Sequence, residues 1–159
     1  MSASWSAYSF KRALAVAVAA RSGISGLEPV PQIVTFLPDP KWMADAIIVG
    51  YGLTDDKEKV SLGGQTHDET VNIVCQIRVA RDGGGEAVAQ EAEDRANAIL
   101  AEIDTELREN PIAVVGARII NPGIVARESL LFPTQSQDGV AVMRCVVEFT
   151  IRYRAKTTP

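Results

Sequence analysis

Apolar and polar residues alternate most regularly in two stretches of the chain. From 70 to 79, Val71, Ile73, Cys75, Ile77 and Val79 alternate with Thr70, Asn72, Gln76 and Arg78, and Val74 breaks the pattern. From 140 to 154, Ala141, Met143, Cys145, Val147, Phe149, Ile151 and Tyr153 fall on one side. Arg144, Glu148, Thr150, Arg152 and Arg154 fall on the other. A period of two predicts strands with one apolar face. The second stretch far exceeds the usual strand of about 5–6 residues, which predicts that it reaches past its own sheet.

A period near 3.6 marks two helices. Over 86–109, Val88, Ala92, Ala96, Ile99, Ile103 and Leu107 form an apolar stripe, opened by Asp82-Gly83-Gly84-Gly85 and closed by Asn110-Pro111. Its other face is acidic, with Glu91, Glu93, Asp94, Glu102, Asp104, Glu106 and Glu109 against Arg95 and Arg108; it reads first as a solvated face and second as a charged wall of an assembly. Over 6–21, Phe10, Leu14 and Val18 make a stripe, and Ser22-Gly23 supplies a stop through a left-handed glycine. Lys11-Arg12 before the apolar block 13–20 also mimics a secretory signal. That block is far below the about 20 residues needed to span a bilayer and ends on Arg21, which favours the helix.

Further β candidates are 32–37, halted by Pro38-Asp39-Pro40, and 46–51, bounded by Gly50 and Gly52. Residues 54–59 read as a charged turn and Gly63-Gly64 as a break. Segments 113–120 and 124–132 flank a turn at Asn121-Pro122-Gly123, and 133–139 is a polar loop. The element order is therefore α-β-β-β-α-β-β in one domain over 1–159. The fold class is α+β, a mostly antiparallel sheet with two helices packed on one face. The other face of the sheet is left to solvent or to another subunit.

Composition narrows the chemistry. Hydrophobic residues make up 47% and charged residues 23% of 159 residues, ordinary values for a folded domain. A net charge of −4 and a pI near 5.0 argue against a protein whose main work is gripping phosphates. His67-Asp68-Glu69 clusters ligand-type residues, but in extended chain at most His67 and Glu69 converge, and the sequence has one His. No metal is expected there. The triple-glycine break lacks phosphate-loop spacing and is followed by Glu86, so no cofactor is expected either. Cys75 and Cys145 lie on apolar strand faces and read as small buried residues, with a disulfide left open. With no second base for a nucleophile and only exposed acids on the long helix, no catalytic residues are assigned and the chain reads as a non-enzyme. Trp5, Tyr8, Trp42 and Tyr51 sit near element ends, as core-edge packing or interface anchors.

Laid out in this order, the chain resembles the tail terminator (tail completion, or minor tail) proteins of long-tailed phages and prophages over nearly its whole length. The likeness rests on the N-terminal helix, on Ala46-Ile47-Ile48-Val49-Gly50 before a charged segment, and on the β run 69–79. It continues through the glycine break into a helix ending Leu107-Arg108-Glu109-Asn110-Pro111, and closes on the loop 135–139 and the strand 146–154. It is a likeness of layout and carries no catalytic residues.

The resemblance implies a virion protein of the tail or neck, assembled in the host cytoplasm as a homo-hexameric ring. Such a ring caps the tail tube protein, stops its polymerisation and gives the head-tail connector (stopper) protein a docking surface. DNA passes through the lumen without specific binding, and no membrane is involved. Six copies, each at −4, would present an acidic collar to DNA. A closing ring needs two different surfaces per subunit; the polar side of the last strand and the loops 54–64 and 133–139 are the suppliers expected. Glu148, Arg152 and Arg154 are the subunit-interface candidates. Other readings are another neck or head-tail joining protein, or a small α+β ligand-binding domain or enzyme. The last would require a concave pocket holding perturbed acids with Arg118 or Arg127.

Overall fold

The two alternating stretches pair with each other, 70–79 lying opposite 145–154. The computed structural model describes residues 3–42, 44–59 and 67–157. Its elements are α1 (Ala3–Ala20), α2 (Ser22–Ser25), β1 (Gln32–Val34), β2 (Ala46–Lys59), β3 (His67–Asp82), α3 (Glu86–Glu109), β4 (Ala117–Gln135) and β5 (Ala141–Thr157). The sheet order is β1-β2-β3-β5-β4. All neighbours are antiparallel except β1 and β2, which run parallel over Gln32–Val34 and Ala46–Ile48. The α+β architecture and its element order are those read from the sequence, with the short α2 added.

Both apolar stripes land on one side of this sheet. Ala7, Phe10, Leu14 and Val18 of α1 and Ala92, Ala96, Ile99, Ile103 and Leu107 of α3 are buried in the same cluster as alternate residues of β3 and β5. Phe10 stacks on Tyr153 with ring centroids 4.2 Å apart. Burying one such side chain stabilises the fold by about 1.5–3 kcal/mol, so helices and sheet hold one another in place. Helix formation here follows the core.

Tertiary pairing overrides local signals at four places. First, β5 does not reach past its sheet: it lies between β3 and β4 and pairs with both from Ala141 to Thr157. Its length is matched by its neighbours, and the edge is β4. Second, the charged segment 54–59 is not a turn; it continues β2, each residue opposite one of 67–72, because pairing to a long β3 outweighs a turn-like composition. Third, Asn121-Pro122-Gly123 does not divide two strands. It is a bulge within β4, with Asn121 at φ 50°, and β5 runs unbroken beside both halves. Fourth, Gly23 is not a left-handed stop but lies inside α2. There it is required by close approach: a Cβ would fall 2.3 Å from the Glu102 carboxylate carbon. The expected break at Gly63-Gly64 lies outside the described residues.

A second bulge in β2 separates Ile48 from Gly52. Gly50 inside it has φ +73°, and its carbonyl accepts a 3.1 Å hydrogen bond from Lys11 Nζ, which also donates to Thr35 O at 3.1 Å. A Cβ at Gly50 would meet Lys11 Cδ at 2.7 Å and Ile73 Cγ2 at 3.1 Å. Gly50→Ala is therefore expected to lower stability by roughly 2 kcal/mol or more. Gly84→Ala, with open space around it, should stay within about 0.5 kcal/mol of the parent. Equal denaturation midpoints for the two variants would contradict this account of the bulge.

Candidate functional site

The sheet face turned away from the helices is the surface on which the polar residues of β3 and β5 collect. Glu148, Arg152 and Arg154 all stand there, exposed, on β5. Each contacts its own chain. Tyr51 Oη donates to Glu148 across β3, Arg152 Nε donates to Asn72 Oδ1 at 2.8 Å, and Arg154 pairs with Asp68. Burial, then the bond to Glu148, push the Tyr51 hydroxyl well above its usual pKa. The three candidates therefore form a row on the face of a central strand. Any contact they make with another molecule is made through the face, because both edges of β5 are hydrogen-bonded within the sheet.

At one end of this face the arginines are buried. Arg78 donates to Gln76 Oε1 at 2.6 Å and to the carbonyls of Asp39 (3.0 Å) and Pro38 (3.4 Å). Arg144 donates to the carbonyls of Pro40 (2.6 Å) and Trp42 (3.2 Å) and lies 5.8 Å from the centre of the Phe132 ring. Desolvation lowers the pKa of both, and for Arg78 the charge of Arg144 adds to it. Two guanidinium groups thus strap residues 38–42 across the sheet, satisfying carbonyls that proline-rich chain cannot pair in a ladder. Sequence reading placed Arg78 and Arg144 on a polar strand face and had no signal for the strap, because the loop that buries them is some 40 and 100 residues away.

A third arginine fixes the end of β3. Arg81 forms a bidentate pair with the buried Asp45 at 2.8 and 3.0 Å and lies 3.4 Å from Glu91 of α3. The hydrogen bond to Asp45 is the main cause of its raised pKa. The acidic side of α3 is likewise partly used within the chain: Glu106 is buried and pairs with Arg21 at 2.9 Å, and Glu102 pairs with the same guanidinium.

The remaining candidates resolve as follows. Asp68 faces Arg154 while Glu69 is buried on the helix side, so these neighbours diverge as extended chain requires; the His67 side chain lies outside the described residues. Among the described residues no three His, Cys, Asp or Glu side chains gather as a metal site. Cys75 stands opposite Phe149 and Cys145 opposite Val79, a separation of about 13 Å along the strands that excludes a disulfide between them. Gly83 and Gly85 take positive φ at the entrance to α3, and Gly83 N donates to Ala141 O at 2.8 Å. Tyr8 is exposed beside Lys11, Trp42 is half-buried at the strap, and the Trp5 side chain is outside the described residues.

A hollow of about 600 Å³ is lined by Pro40, Lys41, Arg144 and the loop from Thr134 to Asp138. One of about 350 Å³ beside α3 holds Arg127 and Asp104, and Asp104 is engaged with Arg108 at 3.1 Å. No helix of the described residues is long and apolar enough to cross a membrane.

Two measurements test this description. Arg144→Ala should free the carbonyls of Pro40 and Trp42 and speed proteolytic cleavage within 38–42 several-fold at unchanged far-UV dichroism. Unchanged cleavage would show that the strap is held otherwise. Burial pushes the Cys75 thiol from 9.0 up to about 12, so the native state keeps a proton that the unfolded chain releases. Stability therefore falls as pH rises from about 9 towards 12, by at most about 1.4 kcal/mol per pH unit. Cys75→Ala should remove that part of the slope, and identical stability-pH curves would refute the assignment.

Comparison with protein-family models and with curated proteins finds no match to this chain.

Proposed function

We propose that this protein is a tail terminator of a long-tailed phage or prophage, a structural part that works by shape. It forms a ring, proposed as a hexamer, on the last ring of the tail tube, stops tube growth and offers the head-tail connector a docking surface. DNA crosses its lumen without being bound specifically.

One observation carries this reading: the sheet is built from long strands of 16, 17 and 19 residues, is covered by helices on one side only, and ends in two unlike edges. A protomer with two different edges and a helix-free polar face has the surfaces that a heterologous, closing contact uses. The likeness in element layout to terminator proteins supports the same conclusion. So does the acidic balance of −4 per copy, which in a closed collar disfavours salt-dependent retention of DNA.

The test is electron microscopy of particles assembled without this protein. Overlong tails that fail to join heads are expected, and complementation should restore both length and joining. Tails of normal length that stay unjoined would instead assign the protein to a neighbouring neck position. Normal tails joined to heads would overturn the reading.

A further inference from the structure

Two arginines on the helix-free face are buried without an acidic partner. Arg78 and Arg144 are 6% and 9% exposed. Arg78 stands opposite Val146 and Arg144 opposite Ala80, which makes them diagonal neighbours, about 7–8 Å apart at the backbone. Every acceptor they bond is neutral: the carbonyls of Pro38, Asp39, Pro40 and Trp42, and Gln76 Oε1. Among the described residues neither forms an ion pair, whereas Arg21, Arg81, Arg108 and Arg154 each meet a carboxylate. The acid whose charge reaches Arg78, Asp39, is exposed and accepts from Lys41 N at 2.8 Å.

Carbonyl dipoles satisfy N–H groups but carry no net charge, and a buried charge is ordinarily paired. The Phe132 ring, 5.8 Å from the Arg144 guanidinium, offsets part of one charge. Arg144 also has donors to spare. Of the several N–H groups of a guanidinium, it spends one on Pro40 O and one on Trp42 O. Nε–H and the second hydrogens of Nη1 and Nη2 meet no acceptor among the described residues.

These spare donors belong to a side chain that lines the hollow of about 600 Å³ beside the strap. Lys41 lines the same hollow from an exposed position, and so do Thr134 and Ser136. Ser136 Oγ accepts from Val140 N at 3.3 Å, so its own proton is left to donate. The acid at the hollow is Asp138, which pairs with neither cation. Two cations therefore stand against one acid there, and Arg78 adds a further positive charge beneath the same strap. A guanidinium fork, an ammonium and hydroxyl donors around one hollow are the chemistry that holds an oxyanion.

We infer that the hollow between Lys41, Arg144 and the 134–138 loop binds a small oxyanion, phosphate or carboxylate, which supplies the counter-charge that the chain itself does not give to Arg144 and Arg78. Arg144 contributes the charged fork, Lys41 a second charge at the exposed rim and Ser136 a hydroxyl donor. Asp138 limits the affinity by repulsion. The overall charge of −4 does not oppose binding, because salt screens exposed charges beyond about 8 Å and the local charges decide. This site is independent of ring formation and of any role in a tail.

The experiment titrates the full chain calorimetrically with sodium phosphate and, separately, with sodium acetate, at an ionic strength held constant with sodium chloride. Saturable binding of at least one anion is expected, with a matching rise in the thermal midpoint; the tighter of the two names the class of oxyanion. Far-UV dichroism first establishes that each variant is folded. Arg144→Lys keeps the charge but loses the fork and should weaken binding at least about tenfold. Lys41→Gln should weaken it about two- to fivefold. Asp138→Asn should tighten it by about the same factor, a change that damage to the fold does not produce. No saturable binding of either anion, a response equalled by sodium chloride alone, or parental affinity in all three variants overturns the inference.

Discussion

A one-residue slip of β5 against β3 would carry Cys145, Val147, Phe149, Ile151 and Tyr153 to the helix-free side and bring Arg144, Glu148 and Arg152 beneath α1 and α3. Nothing else in the fold tolerates that exchange, because the apolar core is a single layer between one sheet face and two helices. The register is held from both flanks, by β3 and by β4 over the same residues of β5. Helix placement, the Phe10–Tyr153 stack and the separation of an apolar from a polar side all follow from it.

The polar side is then divided by how far each charge is removed from water. Near the start of β5, Arg78 and Arg144 lose solvent and are compensated by the carbonyls of Pro38, Asp39, Pro40 and Trp42, with the Phe132 ring beside Arg144. Near its end Arg152 and Arg154 stay exposed and bond to Asn72 and Asp68. Exposed pairs of that kind contribute at most about 1 kcal/mol each, so they can be exchanged for contacts with another surface at small cost. The buried strap cannot be exchanged so cheaply, since breaking it strands charges in a dry site.

An open sheet must end somewhere, and the two ends here are finished differently. β1 shields a short part of β2, while β4 is bulged twice in its first half and regular afterwards. In the proposed collar that asymmetry sets polarity: unlike edges favour a directional contact, whereas like edges would give a closed pair. The helices stay on one side of the sheet throughout.

Much of the fold was legible from periodicity. The stripes Phe10, Leu14, Val18 and Ala92, Ala96, Ile99, Ile103, Leu107, and the alternation in 70–79 and 140–154, fixed which side chains are buried, because burial of apolar area depends on spacing that the chain itself carries. Which strand is central, whether 54–59 bends or extends, and whether Asn121-Pro122-Gly123 turns or bulges depended on partners far along the chain. So did the strap over Arg78 and Arg144. The interface candidates divide the same way: alternation put Glu148, Arg152 and Arg154 on the polar face, but only pairing revealed that β5 is central and that β4 is the last strand of the sheet among the described residues. Local spacing determines a strand's faces, whereas its edges are determined by whichever strands pair beside it, and that is a property of the assembled sheet.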